Sequence, residues 1–364
     1  MKQPQSSSPS SILIRGTNWV GDAVISIPAI KEVRRLFPRA RISLLVRPWV
    51  RDIYAGSGFV DEILEYDKDG IHKGWSGFLR LVSGLKQRRF DCAIFLQNAF
   101  EAALIAWSAR IPQRIGYARD GRSLLLTSAC RIDPDVRRVH QAYYYLGILS
   151  GMGWLNARLW EQKDYRPSIQ VSVRGEDADA ARNMLRSAGI RDGEPVIGIN
   201  PGAFYGPAKR WFPDRYAVVA DTLAKQYRAR IVVFGSSSDL RTAEEVAASM
   251  KNTAIILAGR TTLGQLMGLI RECRLLITND SGPMHLAAAL DVPQLAIFAS
   301  TSEIATGPLS PRAVVIKHPV ECNPCFLREC PTDFRCMKGI STDHVLDEAR
   351  RILERSDPTA AWRE

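Results

Sequence analysis

The sequence has no uninterrupted apolar run long enough to cross a bilayer. A spanning helix needs about 20 consecutive apolar residues, and the apolar stretch that follows the polar MKQPQSSSPS is broken by Arg15, Asn18 and Asp22. No leader pattern of a charged, then apolar, then small-residue stretch is visible near the start, so the expected location is the cytoplasm. Two glycine-rich fingerprints are also missing. There is no Gly-x-x-x-x-Gly-Lys-Ser/Thr, which excludes a P-loop, and no Gly-x-Gly-x-x-Gly, which argues against an NAD-dependent oxidoreductase. Internal repeats are absent, and so is low complexity beyond the N-terminal tail. This sets aside solenoids and arrays. Recognised nucleic-acid-binding modules and interleaved aromatics are lacking too, so no nucleic-acid partner is expected.

What remains is an ordinary globular composition, 46% hydrophobic and 24% charged, over 364 residues. That length accommodates two domains, each able to bury its own core. The net charge of +11 is uneven: residues 1–160 hold 23 Lys and Arg against 13 Asp and Glu, and the remainder is nearly balanced. A basic first half points to an acidic partner, whether nucleic acid, an anionic membrane surface or a phosphorylated substrate; the alternative is a merely solvated basic face.

Strands and helices alternate from the start. SILIR, RISLLVR, VDEILEY, DCAIFLQ and RIGYA read as strands, and AVISIPAIKEVRRLF, the stretch from Phe78 to Gln87 and the stretch from Ala99 to Ala109 read as helices. HQAYYYLGILSGMGW is an aromatic-rich helix ended by glycines. A second series follows, with strands PVIGINP, ARIVVFG, TAIILAG, RLLITND and PQLAIFA and a helix in each gap. Repeated strand-helix-strand units imply parallel, doubly wound sheets. The expected organisation is a polar tail over 1–10, a first domain over 11–155, a linker over 156–170, a second domain over 171–340, and a C-terminal helix and tail over 341–364.

Three strand-to-helix corners carry the chemistry. In LLITNDSGPMHLAAA a buried strand ends at Asn279, Asp280, Ser281 and Gly282, and an alanine-rich helix follows. Free backbone N–H groups at such a helix start form an anion site, and Pro283 suits its first turn. The alternative is that Asp280 or Ser281 simply caps the helix. In VIGINPGAFYGPAKR, Gly202 and Gly206 let the backbone turn and approach a ligand, and Lys209 and Arg210 add fixed positive charge. IVVFGSSSD brings Gly235, Ser236 and Asp239 to the same end of the sheet, where open α/β sheets bind ligands. The first loop, GTNWVGD, presents Trp19 as an apolar wall and Asp22 as a carboxylate at a helix start. An ordinary N-cap is the competing reading of Asp22.

TNWVGDAVISIPAI, NPGAFYGPAKRWFP and TNDSGPMHLAAAL, in that order, resemble the ADP-heptose:lipopolysaccharide heptosyltransferases (glycosyltransferase family 9), most closely their heptosyltransferase II branch. The resemblance runs from about Ile12 to the last helix near Arg350. It implies an α/β protein of GT-B fold, two Rossmann-like doubly wound domains facing across a cleft, the first binding the acceptor and the second the nucleotide-sugar. It implies ADP-heptose as donor, a phosphorylated lipid A-core acceptor, an inverting transfer with no cofactor required for catalysis, and peripheral association with the inner face of the inner membrane. Carried over by position, Asp22 is the catalytic base and Lys209 contacts the donor diphosphate. Ser281, Gly282 and Met284 form the phosphate-binding turn, and Asp280 lies near the donor sugar. Gly202, Gly235, Ser236 and Asp239 complete the expected donor side. Asn18, Trp19, Arg119 and Arg122 are the expected acceptor contacts, with Arg137 and Arg138 as further basic candidates. Pro283 departs from the family, which often has another apolar residue there.

Of seven cysteines, Cys92, Cys130 and Cys273 fall in apolar contexts and read as core thiols. Cys322, Cys325, Cys330 and Cys336 are clustered, with two, four and five residues in the gaps. In a reducing compartment that spacing leaves open a structural zinc or free thiols, and the second pair is wider than a usual zinc knuckle.

Overall fold

The computed structural model describes residues 9–155, 158–162 and 164–356. The chain divides into two units, Met1–Ile169 and Gln170–Glu364. Most of the tail read over 1–10, part of the stretch read as a linker and the end of the C-terminal tail lie outside the described residues. Ser10 is tied down: its backbone N–H and its hydroxyl both donate to Asp91.

The strands of the first unit are β1 (Ser11–Arg15), β2 (Arg41–Val46), β3 (Glu62–Glu65), β4 (Cys92–Phe95), β5 (Gln113–Tyr117) and β6 (Ser128–Cys130). Its helices are α1 (Val20–Leu36), α2 (Asp52–Ala55), α3 (Gly74–Gln87), α4 (Phe100–Ser108) and α5 (Ala142–Gly151). The second unit has strands β7 (Val196–Asn200), β8 (Arg230–Val233), β9 (Ala254–Ile256), β10 (Leu275–Asn279), β11 (Gln294–Phe298) and β12 (Ala313–Lys317). Its helices are α6 (Gly175–Ser187), α7 (Pro213–Tyr227), α8 (Leu240–Ser249), α9 (Leu263–Arg271), α10 (Gly282–Ala289), α11 (Glu303–Thr306), α12 (Arg335–Lys338) and α13 (Thr342–Ser356).

Both sheets are parallel throughout, in the orders β3-β2-β1-β4-β5-β6 and β12-β11-β10-β7-β8-β9. Counted within its own unit, each is the 3-2-1-4-5-6 order of a doubly wound nucleotide-binding sheet. β7, β10 and β11 are buried at every residue. That is why they read as unbroken apolar runs rather than alternating ones. Two strands escape the sequence reading, β6 and β12, each at a sheet edge. α13 packs on α7, β10 and β11, and its Val345, Leu346, Ala349, Ile352 and Leu353 complete the second core. α1 begins at Val20, two residues before the expected start. Among the described residues no helix is long and apolar enough to cross a membrane.

Candidate functional site

Each sheet reverses its strand order once, between β1 and β4 in the first unit and between β7 and β10 in the second. A doubly wound sheet opens its ligand crevice at the carboxyl ends beside that reversal. GTNWVGD leaves β1 there, and both anion-friendly loops of the second unit leave β7 and β10 there.

In the first unit the loop after β1 is held from below by a buried arginine. Arg15 Nη1 donates to the carbonyls of Gly16 (2.7 Å) and Leu45 (3.1 Å), and Nη2 donates to Asn18 Oδ1 (2.9 Å). Trp49 Nε1 donates to the Asn18 carbonyl at 2.7 Å. Asn18, expected to meet the acceptor, is therefore a strut of the loop at both its side chain and its carbonyl. Trp19 stands exposed at the N-cap position of α1 and makes no capping hydrogen bond.

Asp22 lies in the first turn of α1, partly buried, and two of its partners come from the N-cap and first turn of α5. Gln141 Nε2 donates to Asp22 Oδ1 at 3.1 Å, and Tyr145 Oη donates to the same oxygen at 3.3 Å. Burial first, and the Asp22 charge second, push the Tyr145 hydroxyl well above its ordinary range, so it stays a neutral donor. Neither Gln141 nor Tyr145 was singled out from the sequence. Their four-residue spacing, which puts both on one face of α5, is the only signal that could have found them.

Arg15 has a buried neighbour of like charge. Arg15 and Arg47 stand over the Tyr66 ring, 5.7 and 4.7 Å from its centroid, and Nε of each is buried without a hydrogen-bond partner. Burial, then Arg47, lowers the Arg15 guanidinium to about 10. Glu101 offsets part of this charge while accepting from Tyr66 Oη (2.8 Å) and pairing with Lys68 (2.8 Å).

Arg122 corrects an expectation. It is fully buried, and its guanidinium donates to the carbonyls of Tyr117 (3.0 Å) and Gln97 and to Asn98 Oδ1 (3.1 Å). It stitches the exits of β4 and β5 together instead of meeting an acceptor. Arg119, Arg137 and Arg138 are exposed.

In the second unit Asp280 is 4% exposed and accepts Lys209 Nζ at 2.5 Å and Thr301 Oγ1 at 2.5 Å on one oxygen, Oδ2. Lys209 also lies over the Tyr205 ring, 5.0 Å from its centroid. Ser281 occupies the N-cap position of α10 without capping it: its hydroxyl is bonded by Asn200 Nδ2 at 3.0 Å. Neither residue is the simple cap that the sequence left open, and α10 starts with Gly282 and no side-chain cap. An uncapped helix start beside a lysine is a place for an oxyanion. The Met284 side chain is fully buried against Ala296 and Phe298, so only its backbone can face a ligand.

Asn279, read from the sequence only as part of the corner, tethers the middle loop. Its Oδ1 accepts from Trp211 N (3.0 Å) and Tyr216 Oη (2.9 Å), and its Nδ2 donates to the Pro201 carbonyl (2.7 Å). Asp239 joins the third corner: its Oδ2 accepts from Ser236 N (3.0 Å) and Ser236 Oγ (2.6 Å), and Arg210 lies 3.6 Å from Oδ1. The space a Cβ of Gly202 would need is filled by that carboxylate, and a Cβ on Gly235 would come 2.9 Å from Asp239 Cβ. These glycines make room for Asp239.

The clustered cysteines, which the sequence leaves open as a structural zinc site or free thiols, do not form a preassembled ligand set. Among the described residues no group of three or more His, Cys, Asp or Glu is arranged to hold a metal ion. All seven cysteines are free thiols. Cys330 is bonded within its own loop, to the Thr332 hydroxyl and the Phe334 N–H, and Cys336 packs against the second core.

Comparison with known proteins finds similar sequences and a similar fold. The family model described as glycosyltransferase family 9 (heptosyltransferase) matches residues 78–334. Lipopolysaccharide heptosyltransferase 2 of Salmonella typhimurium is 34% identical over 84% of this chain and 87% of its own length. The protein of the same name from Escherichia coli is 32% identical over 84% and 87%. The solved structure of E. coli ADP-heptose lps heptosyltransferase II superposes with a TM-score of 0.78 at 28% identity, covering 95% of this chain and 99% of that one.

Proposed function

The chain belongs to glycosyltransferase family 9, the heptosyltransferases, and from that membership we infer an ADP-heptose-dependent enzyme of GT-B fold that adds heptose to the lipopolysaccharide core as heptosyltransferase II does. The acceptor is the phosphorylated, already heptosylated inner core on its lipid anchor. The enzyme works from the cytoplasm, at the inner face of the inner membrane.

The chemistry divides between the units. In the first, Asp22 takes the proton from the acceptor hydroxyl as its oxygen attacks the anomeric carbon. Gln141 and Tyr145 hold one carboxylate oxygen and so fix the direction in which the other faces. In the second, the bond from that carbon to the diphosphate oxygen breaks and ADP departs with growing negative charge. Lys209 and the α10 N-terminus meet that charge, and fixed donors of this kind lower the barrier most when charge develops in the transition state. One displacement from the opposite face inverts the anomeric configuration. Asp280 holds Lys209 in place before the donor arrives, and Thr301 holds Asp280.

The observation that carries this reading is the Lys209–Asp280–Thr301 group beside an uncapped helix start at the switch point of the second sheet. The test is incubation of the purified chain with ADP-heptose and defined truncated core acceptors, with ADP release and product mass followed. Transfer is expected onto an acceptor that already bears one heptose. Transfer only onto a heptose-free acceptor would reassign it to the first heptose addition, and no transfer to either would overturn the reading.

A further inference from the structure

The carboxyl edge of the first sheet exposes large apolar side chains strand after strand. All six strands are parallel, so the connections that follow them leave from one edge. Trp19 follows β1, Trp49 follows β2, Ile71 and Trp75 follow β3 and Phe100 follows β4, and all five are exposed. Ile71 is 59% and Trp75 73% exposed. Single exposed apolar residues are normal on a protein surface, whereas a cluster along one edge marks an interaction site.

The densest part is the β3–α3 connection. α3 already buries one apolar face, through Gly77, Leu81, Val82 and Leu85. Trp75 and Leu79 form a second apolar flank on the exposed side, one turn apart, and Lys86 continues it at helical spacing. The loop before α3 is held rigidly in this pose. Asp67 accepts from the N–H groups of Gly70 (3.0 Å) and Ile71 (3.3 Å), His72 N donates to the Asp67 carbonyl (2.8 Å), and Arg80 reaches the Ile71 carbonyl (3.4 Å). Within this loop Lys68 and Asp69 are exposed beside Ile71, whose side chain is held out in solvent. Trp75 stacks on Phe78 with ring centroids 5.4 Å apart. Charge adds to the pattern: α3 contains no Asp or Glu, and Lys73, Arg80 and Lys86 are exposed on or beside it.

We propose that this rim, centred on Ile71, Trp75 and Leu79 and flanked by Lys73 and Arg80, docks the first unit on an anionic lipid surface. The chemistry selects that occupant. Tryptophan and aliphatic side chains seat in the boundary between headgroups and acyl chains, and each adjacent Lys or Arg is attracted by anionic headgroups. A protein partner would be expected to present acids to these cations. A second copy of this chain would instead bring its own +11. The location also suits the reaction: the rim shares its sheet edge with the Gly16–Asp22 loop, so docking would bring the acceptor-binding edge to the bilayer in which a lipid-anchored acceptor resides. This last point rests on the proposed function; the docking itself does not.

The test uses the full chain and vesicles of phosphatidylethanolamine with phosphatidylglycerol, set against vesicles of phosphatidylcholine alone. Flotation with the anionic vesicles and a blue shift of tryptophan emission are expected. The paired substitution Trp75→Ser with Leu79→Ser should lower the partition coefficient by roughly tenfold or more. Lys73→Glu with Arg80→Glu should abolish the preference for anionic lipid while keeping the fold, as checked by circular dichroism. Both variants should transfer heptose to a lipid-free core oligosaccharide within about twofold of the parent, and should be slower on the same core embedded in vesicles. Undiminished flotation of both variants would overturn the proposal. So would a concentration-dependent dimer of the parent that the Trp75 and Leu79 substitutions dissolve. Absence of transfer to any acceptor would instead strike the functional reading, while flotation would still decide the docking.

Discussion

A carboxylate that is to take a proton must remain charged, stay aimed at its target and keep a lone pair available. Two neutral donors converging on Asp22 Oδ1 serve the aim of the carboxylate. The expectation is that Asp22→Asn keeps the fold and ADP binding but lowers turnover by roughly a hundredfold or more, because the amide cannot accept the proton. Tyr145→Phe removes only an orienting donor, so its loss should be several-fold, as steady-state rates on a defined acceptor would reveal. Because burial holds Tyr145 neutral across the working range, its ionisation should leave no limb in the pH–rate profile. Near-parental turnover of the asparagine variant would remove Asp22 from the mechanism. Lys209 is a different case, since its partner in the unliganded protein is Asp280. Lys209→Ala should depress turnover more than donor affinity if the ammonium acts chiefly on charge that grows as ADP departs. Unchanged values of both would make it a structural lysine serving Asp280.

The donor loops are placed by side chains that never need to touch a ligand. Asn279, the last residue of β10, holds the backbone at Pro201 and Trp211 and the hydroxyl of Tyr216, so the segment bearing Lys209 is bracketed from below. Asn279→Ala would leave buried groups on that segment unsatisfied, at a cost of about 3 kcal/mol. For a domain of this size that is roughly 10 °C in Tm. Calorimetry together with ADP titration should find both the melting temperature and the affinity reduced, and loss of neither would mean the loop is held by other contacts. Such tethers explain how much the sequence could disclose. The central strands were legible because full burial makes them unbroken apolar runs, and the corners were legible because Gly, Pro and Asp mark where those runs stop. β6 was not, because its three residues are too few to carry a period, and β12 was not, because at an edge its residues are only partly buried. At the site, Asp22, Lys209, Asp280 and Ser281 could be singled out from local motifs. Their partners Gln141, Tyr145 and Thr301 could not, because each contact closes across a long stretch of chain: Gln141 lies 119 residues from Asp22. Arg122 misled for a related reason: a guanidinium read as surface charge proves to be an internal strut, a distinction that only its three-dimensional partners make.

At the scale of the whole molecule, the two substrates meet charges of different kinds. Residues 1–160 carry ten more basic than acidic side chains, and the rest carries one more. Arg119, Arg137 and Arg138 are exposed, and Arg122, being buried, is withdrawn from that list of contacts. The donor side is built otherwise: the Lys209 side chain is 13% and that of Asp280 4% exposed, and α10 contributes a local helix terminus. Attraction between exposed charges is screened beyond about 8 Å at physiological ionic strength, whereas a buried short-range pair is screened far less. Raising sodium chloride from low to high concentration should therefore weaken capture of the phosphorylated acceptor several-fold while shifting ADP-heptose affinity by less than about twofold. Measuring both apparent affinities across the same salt series, with a lipid-free acceptor so that vesicle docking does not contribute, separates the two effects. Equal salt sensitivity for donor and acceptor would mean that the basic first unit is a solvated face with no part in acceptor capture, and the charge asymmetry would then have to be explained by lipid docking alone.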